Sequence, residues 1–211
     1  MKRIIENDFL KVTIDDHGAE LVSIYDKEKD REVIWQGDPK FWGRHAPVLF
    51  PNVGKHYNNH YRIHGQEYAS KQHGFARDTD FTCIDSTPDS VTHQIRSTED
   101  TRKVYPFDFV LRIRHILKGR TLTVSWKVAN SSEGDMYFAI GGHPAFNVPV
   151  LPDTKRSDYR LTFDGQDSLT YLLLDPETGT AKADEEATLK LENGTCQIDD
   201  HMFDHDALVF D

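Results

Sequence analysis

Cysteine is scarce. The 211 residues hold two, Cys83 and Cys196, too far apart for a CxxC pair and too few for a disulfide framework. Thiols used so sparingly point to a reducing, cytoplasmic setting. Long apolar runs are missing too. The N-terminal MKRIIENDFLKVTIDD opens on Lys2 and Arg3 but has neither the apolar centre nor the cleavage-site pattern of a secretory signal. No stretch approaches the length of a membrane span, and mean hydropathy is −0.62. Positive charge is in deficit: 25 Lys and Arg stand against 35 Asp and Glu, a net charge of −10. An acidic surface repels phosphate backbones and anionic lipid, which argues against nucleic-acid and membrane partners. Helical periodicity, internal repeats, low-complexity segments and linkers rich in Ser, Gly or Pro are all lacking. Residues 1–211 are therefore expected to form one domain, large enough for a real core.

What the chain has is period-two alternation. In FLKVTID, Leu10, Val12 and Ile14 alternate with Lys11, Thr13 and Asp15. In VLRIRHIL, Leu111, Ile113, His115 and Leu117 share one face, with Arg112 and Arg114 on the other. After the turn Lys118-Gly119-Arg120, TLTVSWKV places Leu122, Val124, Trp126 and Val128 on one side. Two alternating runs around a Gly-containing turn predict a hairpin. A second hairpin is predicted at Asn193-Gly194, between ATLKLE and TCQID. An earlier pair, ELVSIYD and REVIWQG, flanks the charged turn KEKD. A turn or two of helix is expected at Pro39–Trp42. Many short strands with frequent turns predict an all-β antiparallel sandwich. The final DHDALVFD reads as an apolar strand cut short at an open edge, which leads us to expect a chain that continues past Asp211.

Eleven histidines are unevenly placed, and His45, His56, His60, His64 and His73 fall in one stretch with Gly54, Gly65 and Gly74. That composition predicts a long ordered loop, where sites often lie. Solvated loop residues are the expectation for most of these histidines. Tyr57, Tyr61 and Tyr68 could stack on the flat face of a ligand or pack the loop down. His73 stands out in HGFARD: Gly74 permits a tight turn, Phe75 can anchor the segment, and Arg77 supplies a fork of donors. His143 stands in IGGHPAFNVP, after the apolar MYFAI. Two glycines allow close backbone approach and Pro144 stiffens the chain, so this histidine is expected to be displayed rather than buried. Asp206, in FDHDALVF, would by itself be an ordinary turn carboxylate at the start of a strand.

The segments FPNVGK (50–55), HGFAR (73–77), VYPFDF (104–109), LTVSWKVAN (122–130), IGGHPAFNVP (140–149) and FDHDALVF (203–210) resemble, in order, the aldose 1-epimerase (galactose mutarotase-like) family, in particular its LacX-type branch. HGFAR and GGHPAFN are the specific ones, and the match runs over essentially the whole chain. The resemblance implies a large antiparallel β-sandwich, the supersandwich, lacking its C-terminal strands. It implies a cytoplasmic isomerase interconverting the α and β anomers of an aldohexose. By their motifs, His143 would be the acid that protonates the ring oxygen and His73 would bind beside that oxygen. Asp206, Arg77, Lys55 and Asn52 would contact sugar hydroxyls. No metal or redox cofactor is implied, since only protons move, and a free imidazole pKa near 6.5 suits the acid.

Two departures stand out. Lys55 sits where the family usually has arginine, giving a point charge in place of a planar fork, for which Arg44, Arg62 or Arg77 could compensate. The family's general base, a glutamate near its C-terminus, has no counterpart in residues 1–211. The chain is thus expected to be a truncated epimerase or a sugar-binding domain without efficient catalysis. Other readings are a hexose-6-phosphate 1-epimerase, for which Lys55, Lys71 and Arg77 could hold phosphate, and a metal-dependent cupin using His60, His64, Glu67 and His73. The cupin spacing is poor. Neither the sugar's identity nor the oligomeric state is legible.

Overall fold

The computed structural model describes residues 1–210. The chain divides into two compact units, Met1–Asn147 and Val148–Asp211. The first carries β1 (Lys2–Glu6), β2 (Leu10–Asp15), β3 (Leu21–Asp26), β4 (Arg31–Glu32), β5 (Val48–Leu49), β6 (His60–Ile63), β7 (Gln66–Ala69), β8 (Thr82–Ser86), β9 (Ser90–Arg96), α1 (Glu99–Val104), β10 (Phe109–Lys118), β11 (Thr121–Asn130) and β12 (Gly141–Gly142). Two antiparallel four-stranded sheets dominate it, ordered β1-β2-β3-β4 and β11-β10-β9-β8; β5 pairs with β12 and β6 with β7. The second unit holds two antiparallel ribbons, β13 (Arg160–Thr162) with β16 (Thr195–Gln197), and β14 (Ser168–Leu174) with β15 (Ala181–Lys190).

The alternation reads out directly as burial. On β2, Leu10, Val12 and Ile14 are buried; on β10, Phe109, Leu111, Ile113, His115 and Leu117 are buried while Arg112 and Arg114 are exposed. These two faces meet in one apolar cluster, where Val12, Ile14 and Leu21 pack with Val91 and Leu117. The predicted β10–β11 hairpin forms around Gly119, with Lys118 opposite Thr121. Because β11 ends its sheet, Val124 and Trp126 remain 37% and 40% exposed.

Several expectations need correction. Asn193 and Gly194 do form a left-handed turn, bridging Glu192 to Thr195. The runs beside it nevertheless find other partners: β15 pairs with the longer, more apolar β14, and Cys196 of β16 sits opposite Leu161. Residues 204–210 form a turn and a single bridge, Val209 to Leu172, rather than a strand. Pro39–Trp42 is a turn, with the amides of Phe41 and Trp42 both donating to the Asp38 carbonyl. The helix α1 was missed. Thr98 caps it through a reciprocal bond with Thr101, acidic Glu99 and Asp100 lie in its first turn and basic Arg102 and Lys103 in its last, all stabilising a helix too short for periodicity. The histidine-rich stretch also contains the β6–β7 hairpin, where Tyr61 stacks on Tyr68 with centroids 5.8 Å apart and donates to the Val104 carbonyl. Tyr61 packs the hairpin down, and burial pushes its hydroxyl up to about 12.

Two buried histidines carry a pH consequence. His115 is 1% exposed, its Nδ1 has no hydrogen-bond partner among the described residues, and burial, then the neighbouring His93, lowers it to about 3. His93 bonds through Nε2 to Asp16, which Arg3 grips at 2.8 Å with both nitrogens; burial lowers His93 as well. A histidine lowered on folding binds fewer protons folded than unfolded. Its contribution is complete above the unfolded pKa of about 6.5 and is lost as pH falls towards 3. We expect the thermal midpoint to drop steadily from pH 7 to pH 4.5. His115→Leu should flatten that slope while changing the midpoint little at pH 7.5. An equally steep decline in the variant would contradict this account.

Candidate functional site

The two motifs flank one short strand. On one side of β5, Gly141 lies opposite Leu49 and Gly142 opposite Val48. The pairing continues beyond the strand: the His143 amide donates to the Pro47 carbonyl at 3.1 Å and that of Ala145 to His45 at 2.8 Å. Trp35 and Asn147 extend it, Trp35 N–H to the Ala145 carbonyl and Asn147 N–H to the Val33 carbonyl, both 2.9 Å. His143 therefore stands on a backbone fixed on either side while its side chain is exposed, as its sequence setting predicts.

On the other side, the amides of Phe75 and Ala76 both donate to the Phe50 carbonyl, at 3.0 and 3.1 Å. Gly74 makes this approach possible. Its φ is +70°, and an added Cβ would lie 2.2 Å from that carbonyl oxygen. The Phe75 ring packs edge-on against Phe50 and near Tyr105 and Phe109, anchoring the motif in the aromatic core.

His73 has a φ of +64°, a left-handed conformation uncommon for histidine. Gly54 holds it at two points: the His73 amide donates to the Gly54 carbonyl at 2.8 Å, and the Gly54 amide donates to His73 Nδ1 at 3.0 Å. An Nδ1 that accepts places the ring proton on Nε2, making that nitrogen a donor. Burial, then Arg77, His143 and Arg44, lower His73 to about 4, so the ring is neutral near pH 7. Asn52 completes the clamp. Buried, it donates from Nδ2 to the Gly54 and Lys71 carbonyls at 3.1 and 3.2 Å.

The rings of His73 and His143 face each other, with centroids 5.7 Å apart at 74°. Trp42 lies on His143 with centroids 5.2 Å apart at 37°. His143, with Gly142, Pro144, Trp126 and Phe146, lines a largely apolar cleft of about 660 Å³. Arg77 donates to the Gln72 carbonyl at 2.9 Å, and its buried Nε has no hydrogen-bond partner among the described residues. Arg44 pairs with Asp78 at 2.7 Å. Lys55 is half-buried beside Gly54, and Arg62 is turned to Glu67 across the β6–β7 hairpin. Asp206 belongs to the second unit, exposed at a φ of +73°, where its carboxylate accepts from the Ala207 amide.

Sequence reasoning missed Trp42, which no local motif marks. It also missed the structural use of two glutamates. Glu20 accepts from the amides of His45 and Ala46, and Glu32 from those of Ile24, Val33 and Ile34. Both carboxylates satisfy backbone donors and so brace the segments that pair with residues 145–147 after His143. No three His, Cys, Asp or Glu side chains converge among the described residues, so the residues of the cupin reading do not form a cluster.

The aldose 1-epimerase family model matches residues 2–209. The chromosomal LacX protein of Lactococcus lactis subsp. lactis is 32% identical over 98% of this chain and 71% of its own length, and the plasmid-borne LacX protein is alike in each of these. The crystal structure of a galactose mutarotase related enzyme from Lactobacillus acidophilus superposes with a TM-score of 0.92 at 36% identity, covering 100% of this chain and 69% of that one. A galactose mutarotase-like protein from Lactobacillus casei gives 0.87 at 33% identity, covering 98% and 70%. The fold, mostly antiparallel β, is the galactose mutarotase-like sandwich expected from the motifs. A chain whose GGHPAFN and HGFAR motifs both pair with residues 48–50, and whose match to the family model runs from residue 2 to 209, belongs to the aldose 1-epimerase family.

Proposed function

We propose that the chain binds an aldohexose between His73 and His143 and carries the acid half of a mutarotase site. The single observation behind this reading is the facing pair of imidazoles, one neutral and clamped, the other exposed on a rigid strand end. His73, protonated on Nε2, donates a hydrogen bond to the pyranose ring oxygen and orients it. His143 gives that oxygen a proton as the C1–O5 bond breaks. A base takes the proton of the anomeric hydroxyl, the aldehyde turns about C1–C2, and closure yields the other anomer. Arg77 and Lys55 bind hydroxyls, and Asn52 acts through the Gly54 loop. The role of Asp206 is assigned by the family resemblance alone, and that resemblance names no general base within residues 1–211. The family match through both units supports one domain over residues 1–211, and two free, half-buried cysteines suit a cytoplasmic setting.

Two guanidinium groups near His73 favour a second substrate reading, a hexose 6-phosphate. Polarimetry on freshly dissolved α-anomers tests both. We expect the chain to speed the approach to anomeric equilibrium of glucose or galactose above the buffer rate. Faster turnover of the 6-phosphates would move the assignment to the phosphorylated class, and binding without acceleration would make this a carbohydrate-binding domain. His73→Ala should weaken sugar affinity and rate together, roughly tenfold each, as expected for a positioned hydrogen-bond donor. Unchanged values would make His73 structural.

A further inference from the structure

We infer that Trp42 is the positioning residue for His143: its indole is the wall that holds the imidazole in the orientation needed to reach the sugar. This rests on the reading of His143 as the acid.

The inference begins with what fixes that ring. A catalytic histidine is usually oriented by a hydrogen bond from its second nitrogen to a carboxylate or carbonyl. Among the described residues the His143 imidazole makes no hydrogen bond, and its neighbours are two rings, Trp42 and His73. His73 is itself clamped to Gly54 and stands across from it at 74°, leaving the indole, tilted 37° to the imidazole, as the ring against which His143 packs. Offset aromatic contacts of this kind are worth about 0.5–1.5 kcal/mol, enough to select one rotamer on an otherwise exposed side chain. The indole face also attracts a cation placed over it, which suits a ring that must carry a proton to the substrate.

Trp42 is in turn held in register with His143 through the backbone. Trp35 joins them: its amide donates to the Ala145 carbonyl at 2.9 Å, and its indole N–H donates to the Trp42 carbonyl at 2.8 Å. The Asp38 turn sets the approach, its carbonyl accepting from the Trp42 amide at 2.9 Å and its carboxylate from the Lys40 amide. Gly37, at a φ of +68°, passes so close to His45 that an added Cβ would lie 2.7 Å from that ring. A circuit from His143 through Ala145, Trp35 and Trp42 thus closes on the imidazole. Its hydrogen bonds to Trp42 use only that residue's backbone, so side-chain substitution leaves them in place.

Trp42→Ala and Trp42→Phe test the inference, with kcat and KM for hexose anomerisation and the histidine ring resonances as readouts. His143 is assigned by its loss in His143→Ala. We expect Trp42→Ala to lower kcat by roughly tenfold to a hundredfold, the range for a misplaced catalytic group, with KM within about twofold. Trp42→Phe should recover most of the loss, and the His143 ring resonances should shift in Trp42→Ala as the indole's ring current disappears. A raised KM with unchanged kcat would make Trp42 a sugar-stacking wall and overturn the inference. So would unchanged kinetics, or a His143 resonance that ignores the substitution. If His143→Ala itself leaves turnover intact, the acid reading fails; if His143→Ala is slowed while Trp42→Ala is not, the inference alone fails.

Discussion

His143→Ala should slow anomerisation by about 10²–10⁴-fold, the usual contribution of a positioned general acid, and leave the thermal midpoint nearly unchanged. The His143 side chain is exposed and, among the described residues, its only ring contacts are Trp42 and His73, so its removal empties no buried volume. The backbone bond from residue 143 to Pro47 survives in alanine, keeping the strand end in register. Loss of rate with retained midpoint is therefore the signature of a chemical role. Turnover within a few-fold of the parent would remove His143 as the acid.

The largest stability effect is expected at Gly74. Gly74→Ala forces a Cβ to within 2.2 Å of the Phe50 carbonyl oxygen and 2.7 Å of Pro51 Cδ, at a φ of +70°. Neither neighbour is the end of a flexible side chain, so the 73–77 segment must lift from residue 50. Such a lift weakens the two amide bonds to Phe50 and disturbs the aromatic packing of Phe75. A cost of about 2–4 kcal/mol follows from combined strain and lost contact, with much of the His73-dependent sugar affinity lost as well. Gly65 is the control: it has a φ of +82° with nothing within 4 Å of an added Cβ. Gly65→Ala should cost only the left-handed penalty of about 1–2 kcal/mol. Equal urea midpoints for the two variants would contradict the close approach at Gly74.

Most of the fold was legible wherever strand pairing is local and one face is buried. The alternation in β2 and β10 predicted their buried faces, and the turn at Gly119 predicted the register of β11, whose own Val124 and Trp126 stay exposed. Where pairing is a competition, local turn chemistry was insufficient. Asn193-Gly194 adopts its expected turn, but β15 gains more from β14, so the predicted hairpin stops at one bridge. The short α1 escaped notice because its stability lies in caps and end charges rather than a repeating stripe. At the site, glycine and proline around His73 and His143 betrayed constrained backbone, and the family motifs named both residues. Trp42 was invisible because its partner is distant in the chain, and what joins them is a ladder of backbone bonds between segments. Asn52 shows a different limit. The FPNVGK motif named it as a sugar contact but gave no sign that its Nδ2 also holds the loop under His73.

Histidine-selective ¹⁵N labelling, followed through a titration with galactose or glucose, tests most directly whether the two imidazoles meet one sugar. Resonances of His73 and His143 should move together, saturating with a single dissociation constant, while buried His115 stays still. Two different saturation curves, or a sugar that shifts neither ring, would contradict a shared pyranose site.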